Sequence, residues 1–420
     1  MEEQKKKNIL FISALDFKEK SIQVIRKTPE AYAKAGWNVH YIVARNNEKR
    51  GNYFYEREIN LQNINIYRIY WPLTGMADLF RGIRYLSLII GRLREYLTIL
   101  KLFYIGKRFL NKHKVDIVYG YETHGVLVVK LLKKVGALED VKIVSRFQGS
   151  FIAEMLANKE YLRLLWNHSA IVALKLPADL IIMTNDGTNG DKALNLINPE
   201  NTKKMLFWTN GCDNFYLNEP ENIRTKYNIH KEFILLTVCR LVEWKRVDRG
   251  INIIYKLVKD FGIHNIKYFI VGDGNERRTL EEMALKLNVA DKIVFCGAIL
   301  NHQLGEYYNL ADVVILTYEH SNVGNPLFES IRANKYIFTL NNGDTNSWIK
   351  HEKNGFIYNI DDMLIDNMSK DICEIISNPK KWEFIKENLL KTEEEKLWTW
   401  EERMDAEVEA VKMLINQREG

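Results

Sequence analysis

Two cations five residues apart, Arg240 and Lys245, follow the apolar run Phe233–Val238. The segment reads Arg240-Leu-Val-Glu-Trp-Lys245-Arg246-Val-Asp248 and opens a helix, so a guanidinium and an ammonium meet a helix amino terminus at the end of a strand. That combination favours a phosphate group, because the side-chain charges and the unsatisfied first-turn N–H groups all attract an anion. A solvated charge cluster would use the same residue types; the position after a strand is what points to a ligand. A second segment, Tyr318-Glu-His-Ser321-Asn322-Val323-Gly324-Asn325-Pro-Leu-Phe-Glu329, follows the run Val313–Thr317. Ser, Asn and Gly let backbone amides converge on an anion, and Pro326 suits a first helical turn, where its missing N–H costs nothing. This loop is expected to cradle a diphosphate, with Glu329 one turn inside the helix to accept hydrogen bonds from neutral hydroxyls such as those of a ribose. Gly272-Asp273-Gly274, after another strand, reads as a tight turn.

The elements that must position these residues form two series. Apolar β-branched runs alternate with stretches of helical period, the pattern of βαβ units around a mostly parallel sheet. The first series predicts strands at Ile9–Ser13, Val39–Val43, Ile64–Ile69, Ile117–Tyr119, Ile143–Arg146 and Leu180–Met183, with a helix from about Ile22 to Lys34 stopping at Gly36. The second predicts Phe233–Val238, Tyr268–Val271, Ile293–Phe295, Val313–Thr317, Tyr336–Thr339 and Phe356–Tyr358. The turn signal Asn210-Gly211 lies between them. Expected are an α/β chain with an amino-terminal Rossmann-like domain over 1–207, a second over 208–395, and a terminal helix within 396–420 that either stays there or crosses back. Two such domains facing a central cleft would place their strands' carboxyl ends, where open sheets bind ligands, around it.

Composition excludes several classes. With 420 residues and 46% hydrophobic content the chain can bury large cores, so disorder is not expected. Sixty basic residues against 54 acidic ones leave a net charge of +6, too even for non-specific nucleic-acid binding. The four cysteines are far apart and the nine histidines lack ligand spacing, which fits neither a zinc site nor a disulfide framework. Near the start, Asn8–Leu15 is cut short by Asp16-Phe-Lys-Glu-Lys and reads as a strand, not a signal peptide. A cytoplasmic location is expected, without a spanning helix.

The motifs resemble the glycosyltransferase group 1 family, the family-4 retaining enzymes of the GT-B fold. Cys239-Arg240-Leu241-Val242-Glu243-Trp244-Lys245-Arg246-Val247-Asp248 is similar to the family's Gly-Arg-Leu-x-x-x-Lys-x-x-Asp, and Ser321 to Glu329 corresponds to its Glu-x7-Glu signature. Thr209-Asn210-Gly211-Cys212-Asp213, Val271-Gly-Asp-Gly and Phe295-Cys-Gly297 extend the match across most of the second half. The resemblance implies transfer of a sugar from a nucleotide-sugar donor to a saccharide or lipid-linked acceptor, with retention and without metal or other cofactor, in envelope or extracellular polysaccharide synthesis. Arg240 and Lys245 would stabilise the leaving diphosphate and Glu329 would bind the ribose. Ser321, Asn322, Val323, Gly324 and Asn325 would line the diphosphate or sugar, and Gly297 and Ala298 the base. The chain departs from the family in having Ser321 for the signature's first glutamate and Gln148 where a histidine is common; the Gln148 amide can orient a sugar hydroxyl. A Gly-Gly loop after the first strand is replaced by Asp16–Ser21. An epimerase or hydrolase of nucleotide sugars, or a non-catalytic binder, are the alternatives on the same fold.

Between Leu79 and Lys114 the chain carries Arg81, Arg84, Arg92, Arg94, Lys101, Lys107, Arg108, Lys112 and Lys114 against Glu95. Leu86, Ile89, Ile90, Leu93, Leu97, Leu100 and Tyr104 recur at helical spacing. Two readings stay open: the stripe packs on the first sheet while the cations are solvated, or the helix lies on an anionic membrane surface at its inner face.

Overall fold

The computed structural model describes residues 6–17, 23–46, 59–80, 82–214 and 221–416. Arg81, Gln417, the expected helix start Ile22 and residues 18–21 of the Asp16–Ser21 segment lie outside them. By its internal contacts the chain divides into two compact units: Met1–Asn185, Asn189–Asn210 and Trp400–Gly420 form one, Asp186–Thr188 and Gly211–Thr399 the other.

The first unit is built on seven strands: β1 Asn8–Ser13, β2 Asn38–Arg45, β3 Ile64–Tyr70, β4 Ile117–Tyr121, β5 Lys142–Phe147, β6 Leu180–Thr184 and β7 Met205–Trp208. They pair in parallel in the order β3-β2-β1-β4-β5-β6-β7. The second unit has β8 Phe233–Val238, β9 Ile266–Val271, β10 Ile293–Gly297, β11 Val313–Leu316, β12 Tyr336–Leu340 and β13 Phe356–Tyr358. These are parallel too, in the order β10-β9-β8-β11-β12-β13. Both units are thus α/β and doubly wound, as the apolar rhythm predicts. Only β7 escapes that reading, because Met-Leu-Phe-Trp lacks β-branched residues and is half-buried at the sheet's edge.

Strands covered on both faces explain the near-continuous apolar runs. In β1, Leu10 and Ile12 point to one core with Val126 and Val129 of the helix Glu122–Lys134. Ile9 and Phe11 point to the other with Trp400, Met404, Val408 and Val411 of the terminal helix Trp400–Asn416. The second sheet is likewise packed on both sides. The helix Gln23–Lys34 ends at Gly36, whose φ of +84° is the left-handed geometry expected there. In each sheet the winding reverses once, between β1 and β4 and between β8 and β11, and ligands of open α/β sheets bind beyond the carboxyl ends at such a reversal.

The basic stretch forms a helix over Arg84–Leu110. Of its predicted stripe, Ile90 is buried and Leu86 and Leu97 are half-buried, whereas Ile89, Leu93, Leu100 and Tyr104 face solvent. Arg94 is no surface cation: it is 2% exposed and donates to the carbonyl of Pro72 and the side chain of Asn46. Among the described residues no helix is long and apolar enough to cross a membrane.

Candidate functional site

Arg240 and Lys245 leave the sheet from β8, beside the reversal in the second unit. After Val238 the chain turns through Cys239–Val242 into a short 3-10 turn, Glu243–Lys245, and Arg246, at φ +48°, starts the helix Val247–Lys259. The Gly272-Asp-Gly274 segment fixes this turn. Leu241 donates its N–H to the Asp273 carbonyl at 3.0 Å, and Glu276 donates back to the Leu241 carbonyl at 3.1 Å. A Cβ on Gly272 would fall 1.7 Å from the Cys239 carbonyl oxygen, and one on Gly274 2.1 Å from that of Leu241. The glycines are therefore required for backbone approach, a stronger reason than the turn that their sequence suggests.

Four cations crowd the segment and divide by partner. Arg246 makes a bidentate pair with Asp248, at 3.0 and 2.9 Å, and Arg249 donates to the Thr317 carbonyl at 2.9 Å. Among the described residues neither Arg240 nor Lys245 forms an ion pair. The Lys245 ammonium instead leans on two rings, 4.1 Å from the centroid of Trp244 and 3.5 Å from that of Tyr318. Burial lowers its pKa to about 8; the neighbouring Arg240 pushes the same way, while Cys239 and Asp186 oppose it. An ammonium held in this state gains from any anion that arrives.

The β11 loop is anchored from inside. Tyr318 donates its hydroxyl to the Val238 carbonyl at 3.0 Å and its N–H to Asn322 Oδ1 at 2.9 Å. Asn322 Nδ2 donates to the Tyr318 carbonyl and to Asn342. Ser321 donates to the Asp186 carbonyl at 2.7 Å and accepts the Val323 N–H at 3.2 Å. Gly187 lies so close that a Cβ there would sit 2.3 Å from the Ser321 hydroxyl. Ser321, Asn322 and Val323 are thus buried and occupied with the loop's own architecture. The half-buried part of the expected cradle is Gly324 and the start of the helix Asn325–Arg332, with Pro326 in its first turn.

Glu329 is buried and accepts the Tyr308 hydroxyl at 2.9 Å. Burial raises its carboxyl to about 7, against the opposing pull of that bond. Tyr318, whose ring touches Lys245, and Tyr308, whose hydroxyl meets Glu329, lie in one core cluster. Gly297, at φ +73°, closes β10 and accepts the Gly272 N–H at 2.9 Å, which ties the half-exposed Gly297–Ala298 segment to the same glycine turn. Sequence reasoning missed Trp244, Tyr318, Tyr308 and Gly187. The first two were visible as aromatics flanking the motifs; the others come from distant segments, for which no local signal exists.

In the first unit Gln148 follows β5. Its N–H is accepted by Glu122 at 2.7 Å and its amide donates to the Tyr121 hydroxyl. Glu122 opens its helix at φ +60°, a strained geometry for a residue with a side chain.

Residues 219–392 match the family described as glycosyl transferases group 1. An uncharacterized glycosyltransferase of Methanocaldococcus jannaschii is 29% identical over 164 residues, which cover 37% of this chain and 41% of that protein. The chain thus matches about two fifths of that relative's length. Sucrose-phosphate synthase from Thermosynechococcus elongatus superimposes with a TM-score of 0.73 at 18% identity, covering 98% of this chain and all of that one. HepE of Anabaena, solved with UDP-glucose, superimposes with a TM-score of 0.67 at 14% identity over 96% of this chain and 99% of its own. The chain thus has the GT-B fold over nearly its whole length, and residues 219–392, which carry the motifs, are similar to the glycosyl transferases group 1.

Proposed function

We propose that the protein transfers a hexosyl group from a nucleotide-sugar donor to a saccharide or lipid-linked saccharide acceptor, in envelope or extracellular polysaccharide synthesis at the inner face of a membrane. The observation that carries this reading is the pair Arg240 and Lys245, two cations that have no carboxylate partner among the described residues, at the reversal of the second sheet, with the Tyr318 that touches Lys245 in one core cluster with the Tyr308 that meets Glu329. The UDP-glucose bound by HepE is a donor of the expected class.

Glycosyl transfer is hardest at departure of the nucleoside diphosphate, when negative charge grows on the phosphates and positive charge on the sugar. Arg240 and Lys245 neutralise the leaving group, in place of a divalent cation. The amino terminus of the helix Asn325–Arg332 and the Gly324–Asn325 backbone add N–H groups. Glu329, once ionised, accepts the ribose hydroxyls, and Gly297–Ala298 lies beside the base. Gln148 orients a sugar hydroxyl, and the acceptor attacks from the face that the diphosphate leaves, giving retention.

The test is a thermal-shift screen of nucleotide sugars, followed by hydrolysis and transfer assays with the best binder. Lys245→Ala and Glu329→Ala are each expected to keep the fold and to lower turnover by about a hundredfold, the scale of one lost charge-stabilising contact. Undiminished turnover in both variants refutes the assigned roles. Conversion of the sugar with no acceptor present indicates an epimerase or hydrolase instead, and donor binding without any product a non-catalytic binder.

A further inference from the structure

We propose that the first unit docks on an anionic lipid bilayer through the outer stripe of the helix Arg84–Leu110 and the neighbouring helix Tyr161–Trp166. Along the long helix Tyr85, Ile89, Leu93, Tyr96, Leu100 and Tyr104 recur every three or four residues and all face solvent, Ile89 at 63% exposure. The opposite side of the same helix, with Arg94, Thr98 and Leu102, is buried. The helix therefore covers a formed core with one side and carries on the other a second apolar row that faces solvent among the described residues. Beside it Leu162, 84% exposed, and Leu165 and Trp166 extend the patch. The two helices adjoin: the Arg92 guanidinium stacks 4.5 Å from the Trp166 ring, and the Tyr96 hydroxyl meets His168 at 2.8 Å. Monomeric proteins rarely expose contiguous apolar patches of more than a few hundred square ångströms unless something binds there.

Composition and charge select the occupant. Tyrosine and tryptophan interleave with leucine and isoleucine, side chains whose apolar bodies and polar tips suit the boundary between headgroups and acyl chains. The nearby carboxylates are neutralised locally, Glu95 by Arg92 at 2.6 Å and Glu160 by Arg163. Lys107 and Arg108, at the helix's carboxyl end, are exposed and have no carboxylate partner among the described residues. Net positive charge around an apolar row fits lipid phosphates better than it fits a second copy of the same positive surface. A helix of 27 residues is about 40 Å long and would lie flat in the interface. This surface belongs to the first unit alone and stands or falls separately from the donor reading.

Co-sedimentation of the full chain with phosphatidylcholine vesicles, with and without phosphatidylglycerol, tests the proposal. The wild type is expected to pellet with the anionic vesicles. The double variant Leu93→Asp, Leu100→Asp should partition about tenfold less, because it puts charge into the apolar row. Lys107→Glu with Arg108→Glu should remove the preference for anionic lipid. These exposed positions leave the donor-induced thermal shift unchanged, which confirms that the variants are folded. No pelleting of the wild type, or undiminished pelleting of the aspartate variant, overturns the proposal. So does a wild-type dimer in light scattering that the aspartate variant turns into a monomer, since the stripe would then belong to a second copy.

Discussion

Lys245 and Glu329 each carry an ionisation displaced by burial, in directions that set a pH window. In the roles proposed above, the Glu329 carboxyl, raised to about 7, must be ionised to accept ribose hydroxyls, and the Lys245 ammonium, lowered to about 8, must stay protonated to meet a diphosphate. kcat/KM for the donor is therefore expected to be bell-shaped, rising through about 7 and falling through about 8. Glu329→Gln should abolish the acidic limb and Lys245→Arg the basic one; a flat profile in the wild type would contradict the assignment. Stability separates the same residues from a packing role. With its folded pKa above the ordinary carboxyl value, Glu329 holds an extra proton in the native state, and the stability this gives is lost as pH rises toward about 7. Above that pH the buried anion is a liability, so Glu329→Gln should melt no lower than the wild type at pH 8 although its donor affinity falls. At this scale the cations and Glu329 were legible from local spacing, because each motif spans only a few residues after a strand. The Tyr308 hydroxyl on Glu329, from a helix 21 positions upstream, was not, because it depends on which helices meet.

The loops that carry these residues are set by small side chains at points where backbones touch. Ser321 stands against Gly187 and Gly343, either of which would bring a Cβ within 2.8 Å of its hydroxyl. The residue that differs from the family signature is thus a tight fit in its own loop, which gives a structural reason for a short side chain there. The strands were readable from doubly covered apolar runs, and the reversal of order beside β8 and β11 was not, since parallel pairing leaves no mark in a strand's own sequence. The glycine turn after β9 permits a sharp test. Gly274→Ala should cost about 1–3 kcal/mol in denaturant unfolding, the scale of an overpacked site. It should also weaken donor binding, because the displaced Leu241 carbonyl lies in the turn between Arg240 and Lys245. Gly91→Ala, in a helix with nothing within 4 Å of the new Cβ, is the control and should be neutral or stabilising. Equal losses in both variants would remove the special role given to the turn.

Across the whole chain, the last described helix belongs to the first unit although nearly two hundred residues of the second precede it. Trp400–Asn416 is fixed there by more than apolar packing. Glu407, fully buried, accepts from Arg146 at 2.6 Å, Arg403 at 2.8 Å and the Tyr119 hydroxyl at 2.7 Å, and Arg403 also donates to the Thr209 carbonyl. Periodicity foretold this helix, but its place was unreadable, because the charges that fix it are spread over β4, β5 and the chain's end. Burial alone would raise the Glu407 carboxyl; the two guanidiniums outweigh it and hold the group below its ordinary value. Its contribution is therefore complete above the unfolded carboxyl range, and is lost as pH falls through the folded value. Glu407→Ala would strand two buried guanidiniums, which costs about 3–5 kcal/mol when one member of such a set is removed. The expected result is a lower unfolding midpoint for the first unit at pH 7 and a smaller difference from the wild type under acid. A variant as stable as the wild type at pH 7 would mean that the terminal helix is held by Trp400, Met404, Val408 and Val411 alone.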